Sequence, residues 1–465
     1  MSAVTRIAII GGGPAGYEAA LVAVQLGATV TIVEATGLGG ACVLSDCVPS
    51  KTLIATSESL ATIAGAGSLG VRLAPAGVDA PAVTVDLATV NRRVSELAQA
   101  QSADIGERLQ REGIEALVGS ARFVGPGRLI VTGPTGESRD VVADTVLIAT
   151  GATPRVLAGA EPDGERILSW RQLYDLRELP GHLVVVGSGV TGAEFASAYQ
   201  SMGVPVTLVS SRDRVLPGED ADAARLLELV FTRKGMTLLK RARAVRVTRA
   251  GDGVLVTLED GRTVEGSHCL MTVGSVPNTA ALGLERIGVA LDPRGYVPVD
   301  RVSRTTAPAV YAAGDCTGVL ALASVAAMQG RIAMWHALGE AVAPLRLSTV
   351  AANVFTDPEI ATVGVGQDTV EAGGVAVRAL TLALATNPRA KMQGLPDGFV
   401  KLVCRPGTGT VLGGVVVAPR ASELVLALSV AVQHGLTVDQ LAHSFSVYPS
   451  LSGSITEAAR QLMGE

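Results

Sequence analysis

The residues best suited to chemistry lie early in the chain. Cys42 and Cys47 stand in the run Gly40-Ala41-Cys42-Val43-Leu44-Ser45-Asp46-Cys47-Val48-Pro49-Ser50-Lys51, with a lysine shortly after the second sulfur. A thiol becomes a nucleophile when it ionises, and a nearby cation favours that ionisation. The spacing of the two sulfurs suits a turn that leads into a helix. Cys269, Cys316 and Cys404 are isolated and read as small core residues. No metal site is expected.

The elements that must position these sulfurs are announced by two glycine patterns. In Ile7-Ala8-Ile9-Ile10-Gly11-Gly12-Gly13-Pro14-Ala15-Gly16 the apolar run reads as a buried parallel strand, and a helix is predicted over 15–26. A second strand over 29–33 ends in Glu34, 18 residues beyond Gly16. Strand, Gly-x-Gly-x-x-Gly, helix, strand and acid together form a dinucleotide fingerprint. The glycines allow a tight turn and bring a pyrophosphate to the helix N-terminus, while the carboxylate takes the ribose hydroxyls. The second copy is Leu183-Val184-Val185-Val186-Gly187-Ser188-Gly189-Val190-Thr191-Gly192, then a helix, then a strand over 206–209. No acid ends that strand; the position holds Ser210, followed by Ser211 and Arg212. A carboxylate repels a 2′-phosphate, whereas hydroxyls and a guanidinium accept one. The second site therefore leans towards NADP(H), with a site that takes both nicotinamides as the other reading.

Bulk properties narrow the class. The chain has 465 residues, 54 glycines, few aromatics and a net charge of −5 with no basic block. Such a composition suits an α/β protein with many strand-to-helix turns and argues against a nucleic-acid partner. No apolar stretch is long enough for an integral membrane segment, and no secretory signal opens the chain. Five scattered cysteines form no disulfide framework, and a cytoplasmic location is expected. Runs over 146–154 and 271–278 read as strands that leave one sheet and cross to another domain, and Val310-Tyr311-Ala312-Ala313-Gly314-Asp315 reads as a strand ending in Gly-Asp. The expected organisation is a discontinuous first domain, 1–154 with 280–345, an inserted nucleotide domain, 155–279, and a third α+β unit, 346–465. In the third unit, strands are predicted over 399–403 and 411–417 and helices over 422–434 and 454–463.

These motifs, in this order, resemble those of the FAD-dependent pyridine nucleotide–disulfide oxidoreductases, and the resemblance covers nearly the whole chain. It implies two Rossmann-like domains, one for FAD and one for NAD(P), plus a C-terminal dimerisation domain whose tail completes the partner's active site in a homodimer. By this resemblance the flavin site comprises Gly11, Gly13, Pro14, Ala15, Gly16, Glu34, Ala41, Cys42, Lys51, Gly119, Thr150, Gly151, Asp315 and Ala323. The nicotinamide nucleotide would meet Gly187, Gly189, Val190, Thr191, Gly192, Ser210, Ser211, Arg212 and Gly274. Cys47 matches the cysteine beside the flavin and Cys42 the cysteine that attacks a disulfide substrate, so the resemblance implies a redox-active disulfide. Lys51 matches a lysine near the flavin, often paired with the carboxylate at Glu194. A cation there stabilises charge on reduced flavin and on a nearby thiol.

The departures matter as much. The family's His-Pro-Thr-x-x-Glu, its acid/base pair, is here Tyr448-Pro449-Ser450-Leu451-Ser452-Gly453. A phenol ionises only near about pH 10 and is a poor base at neutral pH. His443 and His434 are unconvincing substitutes. The runs Val447 to Arg460 and Ala313 to Gly318 also resemble the lipoamide-dehydrogenase-like NAD(P)H quinone reductases of mycobacteria, which have Ala where this chain has Cys42. The expected function is therefore hydride transfer from NAD(P)H through FAD to a quinone, an acceptor that requires neither a cysteine nor a histidine, with Cys42, Cys47, Lys51, Glu194 and Tyr448 as the catalytic candidates. NADPH-dependent disulfide reduction and soluble nicotinamide transhydrogenation are the alternatives.

Overall fold

The computed structural model describes residues 4–72, 83–366, 373–374 and 376–463. It divides into two compact units. One comprises Met1–Thr52, Asn91–Arg155 and Gly274–Arg346; the other comprises Leu53–Val90, Val156–Val273 and Leu347–Glu465.

The first unit is built on a parallel sheet in the order Val310–Ala312, Thr145–Ile148, Arg6–Ile10, Thr29–Glu34, Glu115–Val118. Arg6–Ile10 pairs with strands on both sides, and its last four residues are buried. That is why it reads as an unbroken apolar run rather than an alternating one. Ile7, Ile9 and Ile32 are essentially inaccessible, and each such side chain contributes about 2–3 kcal/mol. The helix Pro14–Gln25 opens with proline at its first turn, where the missing N–H costs nothing. Two shorter sheets accompany it. Ser120–Gly125, Arg128–Thr132 and Ser138–Val142 form an antiparallel meander, and Ala152–Pro154 pairs with Ser275–Pro277.

The second unit repeats the parallel plan in the order Thr237–Leu239, Val206–Val209, Leu183–Val186, His268–Met271, Ile167–Ser169. It adds the antiparallel strands Ala244–Ala250, Gly253–Leu258 and Thr263–Gly266. Its C-terminal part is an antiparallel sheet, Ala351–Val354, Glu359–Gly364, Val411–Ala418, Phe399–Cys404 and Arg378–Ala383. The helices Ala421–His434 and Gly453–Met463 share its apolar core. The helix and strand expectations for this part fall within a residue of the observed bounds at most ends. The 25-residue helix Leu87–Arg111 and the two meanders had no counterpart in the sequence reading. Among the described residues no helix is long and apolar enough to cross a membrane, and no grouping of three or more His, Cys, Asp or Glu side chains could hold a metal ion.

An ion triad, buried at Lys401 and Asp220 and open at Asp222, ties the two halves of this unit. The Lys401 ammonium, 9% exposed, donates to both oxygens of Asp220 at 2.9 and 2.7 Å and to Asp222 at 2.6 Å. Asp220 also caps the helix Ala221–Arg233, accepting the N–H groups of Asp222 and Ala223. Removing one member of such a group leaves an uncompensated buried charge. Lys401→Ala should therefore lower stability by about 3 kcal/mol or more in urea unfolding. The Lys401 hydrogen bond holds the Asp222 carboxyl below its ordinary range. A depressed carboxyl stabilises the fold fully above its unfolded pKa of about 3.9 and progressively less as the pH falls through the folded value. The difference in stability between wild type and Lys401→Ala should thus shrink on acidification below about pH 4; a difference that grew there would contradict the assignment.

Candidate active site

In the first unit the fingerprint loop is shaped by two approaches too close for a side chain. Gly11 has φ 107°, and a Cβ there would lie 2.2 Å from the Ala149 carbonyl oxygen; one at Gly16 would lie 1.9 Å from the Gly11 oxygen. The helix Pro14–Gln25 starts at Gly13 with no side-chain cap, so its first N–H groups are available to a phosphate. Glu34, at the carboxyl end of its strand, is anchored by three donors. Gly12 N–H reaches one oxygen at 2.6 Å, and the Thr36 N–H and hydroxyl reach the other at 2.7 and 2.8 Å. Gly119 N–H donates to the Glu34 carbonyl at 2.9 Å.

Two further groups bear on whether these residues fit a bound flavin nucleotide. The Thr150 hydroxyl is buried with no hydrogen-bond partner. The Asp315 carboxyl sits one residue beyond Gly314, and burial raises its pKa. A buried polar atom left unpaired is costly unless something pairs with it. An uncapped helix start, an oriented carboxylate, an orphan hydroxyl and a desolvated carboxyl match the phosphate and polyol groups of FAD, so the residues present fit it. Gly151 follows Thr150, and Asn278 donates to the carbonyls of both through its side chain and backbone at 2.9 and 3.0 Å. Ala323 opens the helix Ala323–Ala337.

The sulfurs follow the fingerprint closely. Gly40–Leu44 is a short helix carrying Ala41 and Cys42, and Cys47 begins the 19-residue helix Cys47–Gly65. Gly39 N–H donates to the Gly12 carbonyl at 2.8 Å, and the Ser102 hydroxyl donates to the Leu38 carbonyl at 2.6 Å, which pins this stretch to the fingerprint loop and to the helix Leu87–Arg111. The two sulfurs form a hydrogen-bonded thiol pair. That hydrogen bond, then burial and the charges of Cys47 and Asp46, holds the Cys42 thiol far above its ordinary range, with Lys51 pulling the other way. Cys47 begins its helix, and a helix N-terminus favours negative charge placed there. Lys51 follows one helical turn later on the same face.

The second unit holds the other fingerprint. Gly187 and Gly192 repeat the close approaches, to Thr272 and Gly187 carbonyl oxygens at 2.3 and 2.0 Å. The helix Val190–Ser201, carrying Val190 and Thr191, starts uncapped at Gly189. Gly274 follows the strand His268–Met271 and belongs to the first unit. Glu194, 3% exposed, accepts the Phe355 N–H at 2.9 Å, and Ser197 on the same helix accepts the Asp357 N–H at 3.1 Å. Ser210 was expected to offer its hydroxyl to a phosphate. It is 1% exposed and bonded to the Ser188 hydroxyl at 2.7 Å and to the Arg212 N–H at 3.1 Å. It organises the loop, while Ser211 and Arg212 are exposed. Tyr448 is 82% exposed, on a tail anchored by Asn387, whose side chain donates to the Ser450 carbonyl at 3.0 Å and the Ser454 hydroxyl at 2.8 Å. The sequence reading missed the Phe355 N–H and Asn387. A backbone donor leaves no trace in residue type; Asn387, before Pro388 at a helix start, was legible as a cap.

The sequence profile of the pyridine nucleotide-disulphide oxidoreductases matches residues 5–330, and that of their dimerisation domain matches 350–459. The chain belongs to this family. Its members use FAD and NAD(P)H. The chain is 58% identical to a Mycobacterium tuberculosis protein named NAD(P)H dehydrogenase (quinone), across 99% of this chain and 94% of that one. The crystal structure of LpdA from Mycobacterium tuberculosis superposes with a TM-score of 0.94 at 58% identity, covering 99% of this chain and 100% of that one. The HOCl-induced flavoprotein disulfide reductase RclA from Escherichia coli superposes with a TM-score of 0.86 at 26% identity, covering 98% and 99%.

If Asp315 helps to hold the flavin, Asp315→Ala should lose a charge-assisted contact worth about 1.5–3 kcal/mol and bind FAD at least about 10-fold more weakly. The ratio of visible flavin to protein absorbance after gel filtration measures this; unchanged occupancy would count against the assignment.

Proposed function

We propose that this chain is an FAD-dependent NAD(P)H:quinone oxidoreductase. The observation that carries the reading is its tail. Where the resemblance calls for a His–Glu acid/base pair, Tyr448 and Gly453 stand, while both Gly-x-Gly-x-x-Gly turns are present. Disulfide turnover needs a proton to reach a leaving thiolate, and acid–base assistance is worth about 10²–10⁴-fold. The name of the relative at 58% identity supports the same reading.

FAD, when bound, would supply the hydride-transfer chemistry that links NAD(P)H to the acceptor. The chain's own part is binding, orientation and proton supply. The uncapped helix starts at Gly13 and Gly189 hold phosphates. Lys51 supplies a fixed cation. Glu194 is held in place through the Phe355 N–H. Tyr448 offers an O–H donor to a quinone oxygen, and solvent restores its proton. Phe445, Val447 and Tyr448 are all exposed. With a dimerisation domain matched over 350–459, this supports a homodimer in which a second copy covers the tail.

NADPH should serve at least as well as NADH. Residue 34 is a carboxylate in the first fingerprint; the corresponding residue 210 is a serine, bonded to Ser188 where the first copy has Gly12. The double change Ser188→Gly with Ser210→Glu recreates the first arrangement. It should shift the ratio of kcat/KM values towards NADH by about 10-fold or more. A wild type that strongly prefers NADH would contradict the reading.

The sulfurs separate this function from disulfide reduction, a second reading favoured by the intact Cys42–Cys47 contact and by the likeness to RclA. Cys42→Ser and Cys47→Ser should each retain most NADPH:quinone activity in steady-state assays, while wild-type turnover of lipoamide or oxidised glutathione should be lower by about 10²-fold or more. Lipoamide turnover as fast as quinone turnover would overturn the assignment.

A further inference from the structure

The residue that leads the second sulfur into its helix is itself charged. Asp46 immediately precedes Cys47, and its carbonyl accepts the Ser50 N–H at 2.8 Å, the first hydrogen bond of the helix Cys47–Gly65. That bond makes Asp46 the capping residue of the helix. Asparagine and serine cap as well as aspartate does, so a cap by itself calls for no charge. Pro49 stands at the third helical position, where a capping side chain commonly finds an N–H, so one usual partner for the carboxylate is missing.

The charge bears on the sulfurs. A helix N-terminus carries about half a positive charge, and a thiolate formed at Cys47 would draw on it. A carboxylate on the capping residue brings a whole negative charge to the same end and more than offsets it. Cys42 shares this field through its hydrogen bond with Cys47; the Asp46 charge opposes ionisation there, and Lys51 favours it. The other elements packed nearby leave this balance in place. Tyr17, on the helix Pro14–Gln25, interacts with Cys42, and burial holds its phenol protonated. Beside it Glu18 is paired with Arg331 at 2.7 Å, and Arg108 comes from the helix Leu87–Arg111.

Disulfide exchange starts from a thiolate. The thiolate attacks one sulfur of the substrate, and the other sulfur leaves and takes up a proton. The second cysteine then displaces the first, which releases the remaining thiol and closes Cys42–Cys47. Quinone reduction draws on none of these steps. We propose that Asp46 selects between the two classes of acceptor: its carboxylate cancels the positive helix end at Cys47 and withholds the thiolate that a disulfide substrate requires. This inference deepens the quinone reading above and rests on it.

The test uses flavin-loaded enzyme that is reduced with dithiothreitol, freed of it anaerobically and alkylated with iodoacetamide. Incorporation at Cys42 and Cys47 is read by peptide mass between about pH 6 and about pH 10, a range that brackets an ordinary thiol. Asp46→Asn keeps the cap and removes the charge. Near neutral pH its faster sulfur should react about 3-fold faster than in wild type, a thiolate fraction about 10-fold larger offset by the lower nucleophilicity of a more acidic thiol. The gain should shrink towards about pH 10, where the wild-type thiol ionises as well. Asp46→Ser should match Asp46→Asn, and Asp46→Glu should stay within about 2-fold of wild type. The ratio of lipoamide to quinone kcat/KM should rise with the alkylation rate. Equal alkylation of Asp46→Asn and wild type overturns the proposal and leaves the quinone reading standing. A gain that is the same at every pH reports altered access and overturns it too, as does faster alkylation with an unchanged ratio of acceptors. Wild-type turnover of lipoamide as fast as of quinone removes the quinone reading, and the role of Asp46 falls with it.

Discussion

No side-chain carbon fits between Gly16 and the Gly11 carbonyl, or between Gly11 and the Ala149 carbonyl. Those two contacts set how near the helix Pro14–Gln25 lies to the strands before and beside it. They aim its bare N-terminus along the carboxyl edge of the sheet, and every other group of the first unit's site is placed relative to that edge. Glu34 reaches back to Gly12, Gly39 donates to Gly12, and the sulfurs follow within a few residues. A methyl group at either glycine would push the helix off the strand and disturb all of these at once.

The second fingerprint keeps the same contacts and changes the chemistry at its rim. A serine–serine hydrogen bond replaces the carboxylate-to-backbone bond, and the charge balance of the loop reverses. Behind the fingerprint, the helix Val190–Ser201 is gripped by backbone donors of residues 355 and 357, and Lys401 is buried against the acids that start the next helix. The nucleotide-binding sheet and the C-terminal sheet are therefore joined by polar groups that must stay paired. A disturbance of the C-terminal sheet has a direct route to Glu194 on the helix Val190–Ser201.

The parallel strands and fingerprint helices were legible because burial on both faces makes Arg6–Ile10 and Leu183–Val186 continuous apolar runs. The antiparallel meanders were not legible. Strands such as Ala244–Ala250 are largely exposed and carry arginines, so their pattern is faint. Among the candidate site residues, Glu34 could be named from its spacing in the fingerprint, and the cysteines and Lys51 from the family resemblance that their run carries. The partners that orient them could not. The Phe355 N–H beside Glu194 belongs to a residue distant in sequence and carries no signature of its role. Ser210 shows the converse error: its type suggested a ligand donor, but its burial spends the hydroxyl on Ser188.

The anchoring of Glu34 has a consequence for how the flavin site fills. Its carboxylate is oriented by Gly12 and Thr36, that is, by the protein's own loop. A group already held in place gives up little rotamer freedom when a ligand arrives, so association is not burdened by ordering it. The apoprotein should then behave as a ready-made receptor. Stripped of its chromophore, it should take up chemically altered flavins without first ordering this loop, so that the potential of the bound ring could be varied while the polypeptide around it stays the same.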